Sequence, residues 1–398
     1  MWLFVLPALA ADLGALTAAL TPEVAALHEL PLLEPIVEAS MRPDELLVWL
    51  DERLLEEAEQ VKRDQELYRM LGLMPDDADL LALTRQLFSE QVAGLYDPQE
   101  KQLFIVDLPG GSVPALTEIF LAHEIAHALD DQHFDLGARM EAPLTSDERL
   151  ALQSVIEGSA TVLMLRYMAK AAMSGELETK DLLAYAKEDA QKMAQLDRYP
   201  AVLPTTLMVP YLGGLQFFLW GRRPAELMGP APWLAPGRAA AYQDVPVSTE
   251  QILHPEKYWQ RRDLPVRFAP LPEAWPVQHH DVVGELLTAL VLEPDRKLPS
   301  GGALSGIPDG DSFSSRPAIG WDGDALYLMP EGQALWVSAW DDEKERREFV
   351  RAVRRAHPGW QVRLEGSRMV LLGIGMSDAE LGRMPVPAGV EGDAAWTP

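Results

Sequence analysis

Five consecutive residues, His123-Glu124-Ile125-Ala126-His127, combine residue types and a spacing that could do chemistry. On a helix, positions four apart share a face, so the two imidazoles can reach one cation. Glu124 lies about a quarter-turn away, where its carboxylate can touch a water on that cation without ligating it. Zinc lowers the pKa of such a water to about 7. The carboxylate can accept the water's proton and pass it to a leaving amine. The expected cofactor is therefore Zn2+, the expected substrate a peptide or protein, and the expected reaction hydrolysis. The competing reading is a helix with two coincidental histidines. The apolar flanks Ile119, Phe120, Leu121, Ala128 and Leu129 favour a buried working helix over it.

A catalytic zinc usually takes three protein ligands and keeps one position open. Two residues compete for the third place. Glu157, in SVIEGSAT, belongs to the next long helix, and Gly158 and Ala160 are small enough to let two helices approach. His133 has the spacing of a metzincin-like H-E-x-x-H-x-x-G-x-x-H site, but Asp130 stands where the glycine should be. Aspartate enters the left-handed region at a cost that glycine avoids. If the helix continues, His133 points away from His123 and His127. Glu157 is the favoured ligand. An oxyanion also needs a donor. His254 in EQILHPEKY and Tyr211 in VPYLGG are the candidates, with Tyr258 behind them. Residues 103–106 are expected to form an edge strand that holds an extended peptide by backbone pairing. His279-His280 reads as a loop pair with no metal role.

HEIAHALDDQHFDL followed by SVIEGSAT resembles the gluzincin branch of zinc peptidases. It resembles in particular a group of bacterial metallopeptidases in which the H-E-x-x-H helix runs into A-L-x-D-Q-H-F-D-L and an E-G-x-A-T motif follows. GLYDPQEKQLFIVD upstream and STEQILHPEKY downstream look like that group too, so the likeness spans roughly residues 30–260. It implies zinc on His123, His127 and Glu157, with Glu124 as general base. Thermolysin-like enzymes usually carry an aspartate four residues after the glutamate, where it buttresses a ligand histidine. Here that residue is Thr161, and Asp130 or Asp131 could supply the carboxylate instead.

The elements that must position these residues read as an α+β chain. Residues 22–71 are helical for most of their length, with a short strand expected over 30–37. A helix follows over 79–91, then a hairpin over 91–107 turned at Asp97-Pro98. The metal-binding helix spans 113–134, with Ser112 as cap and Pro114 in its first turn. The next spans 147–173, started by the capping box Thr145…Glu148 and stopped at Gly175. A charged helix over 181–196 precedes an uncharged stretch, 201–221, whose prolines and glycines favour a buried helix over a membrane span. Residues 222–276 read as an irregular surface connection with a few short helices, and 282–292 as a last helix. The domain reading is a gluzincin-like metallopeptidase domain over 21–293, mainly helical with a small sheet. A linker over 294–317, a ββαββ accessory domain over 318–376 and a flexible tail over 377–398 follow it.

Composition narrows the partners. Acidic residues outnumber basic ones 61 to 34, a formal charge of −27 that disfavours nucleic acid and anionic lipid. With no cysteine, disulfides, thiolate ligands and cysteine nucleophiles are excluded. Residues 1–20 begin with a signal-like apolar segment, MWLFVLPALAA, but without a positive n-region. Export to the periplasm or medium is the favoured localisation, cytoplasm the alternative. The function class opposed to the enzyme is an exported zinc-binding scaffold without turnover. The intact Glu124 argues against it.

Overall fold

A computed structural model describes residues 13–91, 94–106, 114–222, 234–297, 312–391 and 394–395. The chain is α+β, as expected. Helix α1 (Leu13–His28) leads into β1 (Val37–Met41). Strand formation thus falls after the 30–37 segment, whose Leu32 and Leu33 remain exposed. Of the apolar segment at 1–20, residues 1–12 lie outside the described part, and Leu20 is buried in α1.

Three helices follow: α2 (Pro43–Glu56), α3 (Ala58–Met70) and α4 (Leu80–Gln91). Strands β2 (Gly94–Asp97) and β3 (Gln102–Val106) form the expected hairpin. Their sheet has the order β1-β3-β2, with β1 parallel and β2 antiparallel to β3. The strand expected at an edge, 103–106, is therefore central. The edge belongs to β2, because β1 returns to pair with the other side of β3.

Helix α5 (Pro114–Phe134) starts on the expected proline, while Ser112 lies outside the described residues. After the short α6 (Leu136–Met140) comes α7 (Ser146–Ser174), the longest helix. Thr145 Oγ1 accepts from the Glu148 amide and Glu148 accepts from the Thr145 amide, so two otherwise orphaned N–H groups are satisfied. Gly175 closes the helix at φ +82°, a conformation open to glycine without steric cost. The amphipathic α8 (Thr179–Leu196) precedes α9 (Val202–Leu219). By length and composition α9 could cross a membrane, but 78% of it is buried inside the protein, packed mainly on α7.

The segment expected to be an irregular connection with a few short helices carries α10 (Leu234–Gln243), α11 (Thr249–Leu253), α12 (Glu256–Trp259) and β4 (Val266–Phe268). His279 and His280 lie in β5 (His279–Asp281), paired to β6 (Trp321–Met329), and not in a loop. Helix α13 (Gly284–Leu292) sits between those two strands in sequence. Strand β7 (Gln333–Trp340), helix α14 (Glu343–Ala356), β8 (Gln361–Glu365) and β9 (Met369–Ile374) complete the expected ββαββ run. With β5 added, the sheet has five strands in the order β5-β6-β7-β9-β8, all antiparallel. Trp321, Trp336 and Trp340 are fully buried there, with Trp340 stacked on Phe349 of α14 at 4.3 Å. Aromatic rings of this size supply much of the apolar area buried in such a core.

Most of the linker expected over 294–317, residues 298–311, lies outside the described part. The segment expected as a flexible tail is folded where described. It forms α15 (Asp378–Leu381) and β10 (Gly389–Glu391), which pairs with β4 and with β11 (Ala394–Ala395). The pairing partner of β10 lies more than a hundred residues away, beyond the reach of local pattern.

Candidate metal centre

Helix α5 carries His123, Glu124 and His127 into the core, where all three are fully buried. Helix α7 brings Glu157 against them. The Nε2 atoms of His123 and His127 are 2.9 Å apart. Glu157 Oε2 lies 3.2 Å from His123 Nε2 and 3.5 Å from His127 Nε2. One ligand atom from each of these three residues falls within 4.8 Å of the others, so the group could hold a metal ion.

A close helix contact sets the position of Glu157. A Cβ on Gly158 would come within 2.3 Å of the Gly214 carbonyl carbon, and one on Gly214 within 2.0 Å of the Ser154 carbonyl oxygen. Helices α7 and α9 therefore touch backbone to backbone. The small residues after Glu157 were expected to admit a neighbouring helix, taken to be α5; the partner of Gly158 is α9. One turn before Gly214, α9 presents Tyr211. Its hydroxyl hydrogen-bonds the Glu157 carboxylate, and its ring stacks on that of His123 at 6.1 Å.

Strand β2 holds Glu124. The Tyr96 amide donates to Glu124 Oε2 at 2.8 Å, while Oε1 has no hydrogen-bond partner among the described residues. The Tyr96 hydroxyl in turn donates to Asp131 Oδ2 at 2.8 Å. Helix α5 thus grips one strand residue at two points, two turns apart. Burial pushes the Glu124 carboxyl up to about 8, against the Tyr96 hydrogen bond. Burial likewise pushes Glu157 well above the usual carboxylate range, with the Tyr211 bond opposing it. Burial lowers His123 to about 3 and His127 well below its ordinary value, which leaves both imidazoles in the neutral form that ligates metals. A bound cation would pull both carboxyls back down.

The other expected residues fall elsewhere. Helix α5 continues through His133, whose Nε2 lies 2.8 Å from the Pro31 carbonyl, so it does not join His123 and His127. His254 Nε2 lies 3.0 Å from Glu285 Oε1 on α13, and His254 is not part of the cavity wall described below. Packing of the α11–α12 turn on α13 thus pairs the candidate oxyanion donor His254 with a buried carboxylate. Tyr258 donates to the Asp244 carbonyl at 2.7 Å. Asp130 meets His28 at 2.8 Å and Arg238 at 3.4 Å, and Asp131 takes the Tyr96 hydroxyl and the Leu136 amide. For His123 the hydrogen-bonding neighbour is the Ala160 main-chain carbonyl.

A cavity of about 470 Å³ opens beside the group. Tyr96, Glu157 and Tyr211 line it, together with Trp49, Tyr68 and Leu87 of α2–α4. Of the group, Glu157 lines the cavity, while His123, Glu124 and His127 are fully buried and are not among its lining residues. Two residues that matter here were not foreseen, Tyr96 and Gly214. The Gly213-Gly214 pair inside an apolar helix was a signal for close approach. The Tyr96 contact is made by a main-chain amide, which leaves no trace in residue type.

One family matches part of the chain: a domain of unknown function, DUF8575, over residues 275–371. The match runs from just before β5 into β9 and lies wholly outside α5, α7 and α9. No curated protein and no solved structure matches the chain.

Proposed function

We propose that the protein is a zinc-dependent peptidase of gluzincin type, with zinc on His123, His127 and Glu157 and Glu124 as general base. The single observation that carries this reading is the donor triangle; Glu124, with one unpartnered buried oxygen, is close enough for its charge to act on Glu157. Two ligands about 2.1 Å from a tetrahedral zinc stand about 3.4 Å apart. The three separations here, 2.9, 3.2 and 3.5 Å, bracket that value. Two neutral imidazoles and one carboxylate are also a donor set that suits zinc.

Bound zinc would acidify a water and polarise a carbonyl. The chain's own groups do the rest. Glu124 Oε1 takes the water's proton while the Tyr96 amide holds Oε2, and the same carboxyl delivers that proton to the leaving amine. Tyr211, bonded to Glu157 and lining the cavity, is the donor assigned to the developing oxyanion. The edge strand β2 borders the cavity, and its main-chain groups other than the Tyr96 amide, which holds Glu124, are offered to an extended peptide.

The test is digestion of a mixed peptide library by the zinc-loaded protein and by Glu124→Gln. The native protein should cleave, and the variant should lose about 10²–10⁴-fold in rate while keeping its zinc. Equal cleavage by both proteins, or none by the native protein at full zinc occupancy, contradicts the reading.

A further inference from the structure

Helix α7 lays three polar side chains along the cavity wall at four-residue intervals: Arg149, Gln153 and Glu157. Such a row lies on one helix face. Resting on the peptidase reading above, we propose that Arg149 binds the free C-terminal carboxylate of the substrate, so that the enzyme removes a tri- or tetrapeptide from the end of a chain.

The cations of the cavity single out Arg149. Two arginines line it, Arg53 and Arg149. Arg53 is already held by Asp97 at 2.8 Å, Glu100 at 2.6 Å and Glu56 at 2.8 Å. Arg149 is half-buried, and its hydrogen bond is to the Leu144 carbonyl, at 3.3 Å. Among the described residues no carboxylate lies within ion-pair distance of it. Asp64 of α3 faces it across the cavity and feels its charge, but Gln60 Nε2 bonds Asp64 at 2.7 Å. A partly desolvated guanidinium without a contacting anion is a poor use of charge in a stable fold and a good one in a binding site.

Spacing sets the length of the product. Eight residues of helix separate Arg149 from Glu157, about 12 Å at 1.5 Å per residue. An extended peptide covers about 3.3 Å per residue. With the scissile carbonyl beside Glu157, the terminal carboxylate at Arg149 belongs to the third or fourth residue beyond the cut. Gln153, midway, can bond an intervening peptide group. Tyr68 and Asp64 of α3 stand opposite the Arg149 end, where the chain should stop.

The test uses binding, so it does not depend on turnover. Zinc-loaded Glu124→Gln is titrated calorimetrically with three probes: N-acetyl-trileucine, its C-terminal amide, and an amidated N-acetyl-leucyl-leucyl-glutamate. The free acid should bind about tenfold or more tighter than either amide, as a charge-assisted hydrogen bond predicts. Introducing Arg149→Gln should erase that difference. Equal binding of acid and amide, or no binding of any probe, overturns the proposal. Binding of the glutamyl amide as tight as that of the free acid also overturns it, in favour of a side-chain carboxylate. A preference for the free acid without peptide cleavage by the native protein would leave the carboxylate site standing and remove the peptidase reading.

Discussion

Two buried carboxylates distinguish the metal centre from the C-terminal sheet. Asp324 in β6 accepts from the Val283 amide, the Gly284 amide and the Trp321 indole, at 2.8, 2.9 and 2.7 Å. Both of its oxygens are used, and it ties the start of α13 to the sheet. Glu124 is as deeply buried, yet one oxygen has no partner among the described residues. Burial raises both, to about 7 for Asp324 and about 8 for Glu124. Depth and pKa therefore do not separate the two carboxylates, whereas hydrogen-bond satisfaction does. A buried polar atom left unpaired costs stability; Asp147 Oδ2 and Glu285 Oε2 are also unpaired among the described residues, so the neighbouring His123–His127–Glu157 group is what sets Glu124 apart.

The comparison can be broken first where the effect is largest. Trp336→Ala removes a fully buried ring from the C-terminal core and should cost about 3–5 kcal/mol in urea unfolding. Zinc stoichiometry should stay at one per chain under native conditions. Loss of zinc from that folded variant would show that the two regions are not separable. Gly214→Ala forces a methyl against the Ser154 carbonyl and should cost about 1–3 kcal/mol. Unlike Trp336→Ala, it should weaken zinc binding, because the α7–α9 contact places both Glu157 and Tyr211. Zinc affinity unchanged in Gly214→Ala would sever that link.

Asp324 yields a sign that can be checked. Its folded pKa is raised, so the folded state binds the proton more tightly than the unfolded chain. Its contribution is fully present below the unfolded value near 4 and is lost as pH rises through about 7. Unfolding free energies from urea titration should fall across that window by about 1.4 kcal/mol per pH unit at most. Asp324→Asn should flatten the slope, and an unchanged slope would assign it to other groups. The smallest effect is expected at Tyr96→Phe, which removes the hydroxyl anchor on Asp131 but keeps the amide on Glu124. A loss of about 0.5–1.5 kcal/mol in stability should accompany a few-fold drop in peptide cleavage. A native rate would mean the strand needs no such anchor.

The legible parts of the molecule were those with local signatures. His123, Glu124 and His127 share one helix, and the Thr145–Glu148 box and Gly175 mark the ends of the next. Glu157 was legible because a short motif on a neighbouring helix supplied the right donor. Contacts between distant segments were not legible. Strand β2 is four residues long and contains a glycine and an aspartate, so nothing marked it as the edge facing the cavity. His254 looked available until α13 placed Glu285 beside it. The α7–α9 contact depends on two glycines 56 positions apart, and neither shows its partner in sequence.

The most direct test of the central claim is X-ray absorption at the zinc edge on protein loaded with one equivalent, with Glu157→Ala as control. The account predicts two imidazole nitrogens and a carboxylate oxygen at about 2.0–2.2 Å, with the oxygen shell altered and zinc affinity reduced in the variant. A third imidazole in the native spectrum, or a spectrum and affinity indifferent to Glu157→Ala, would contradict it.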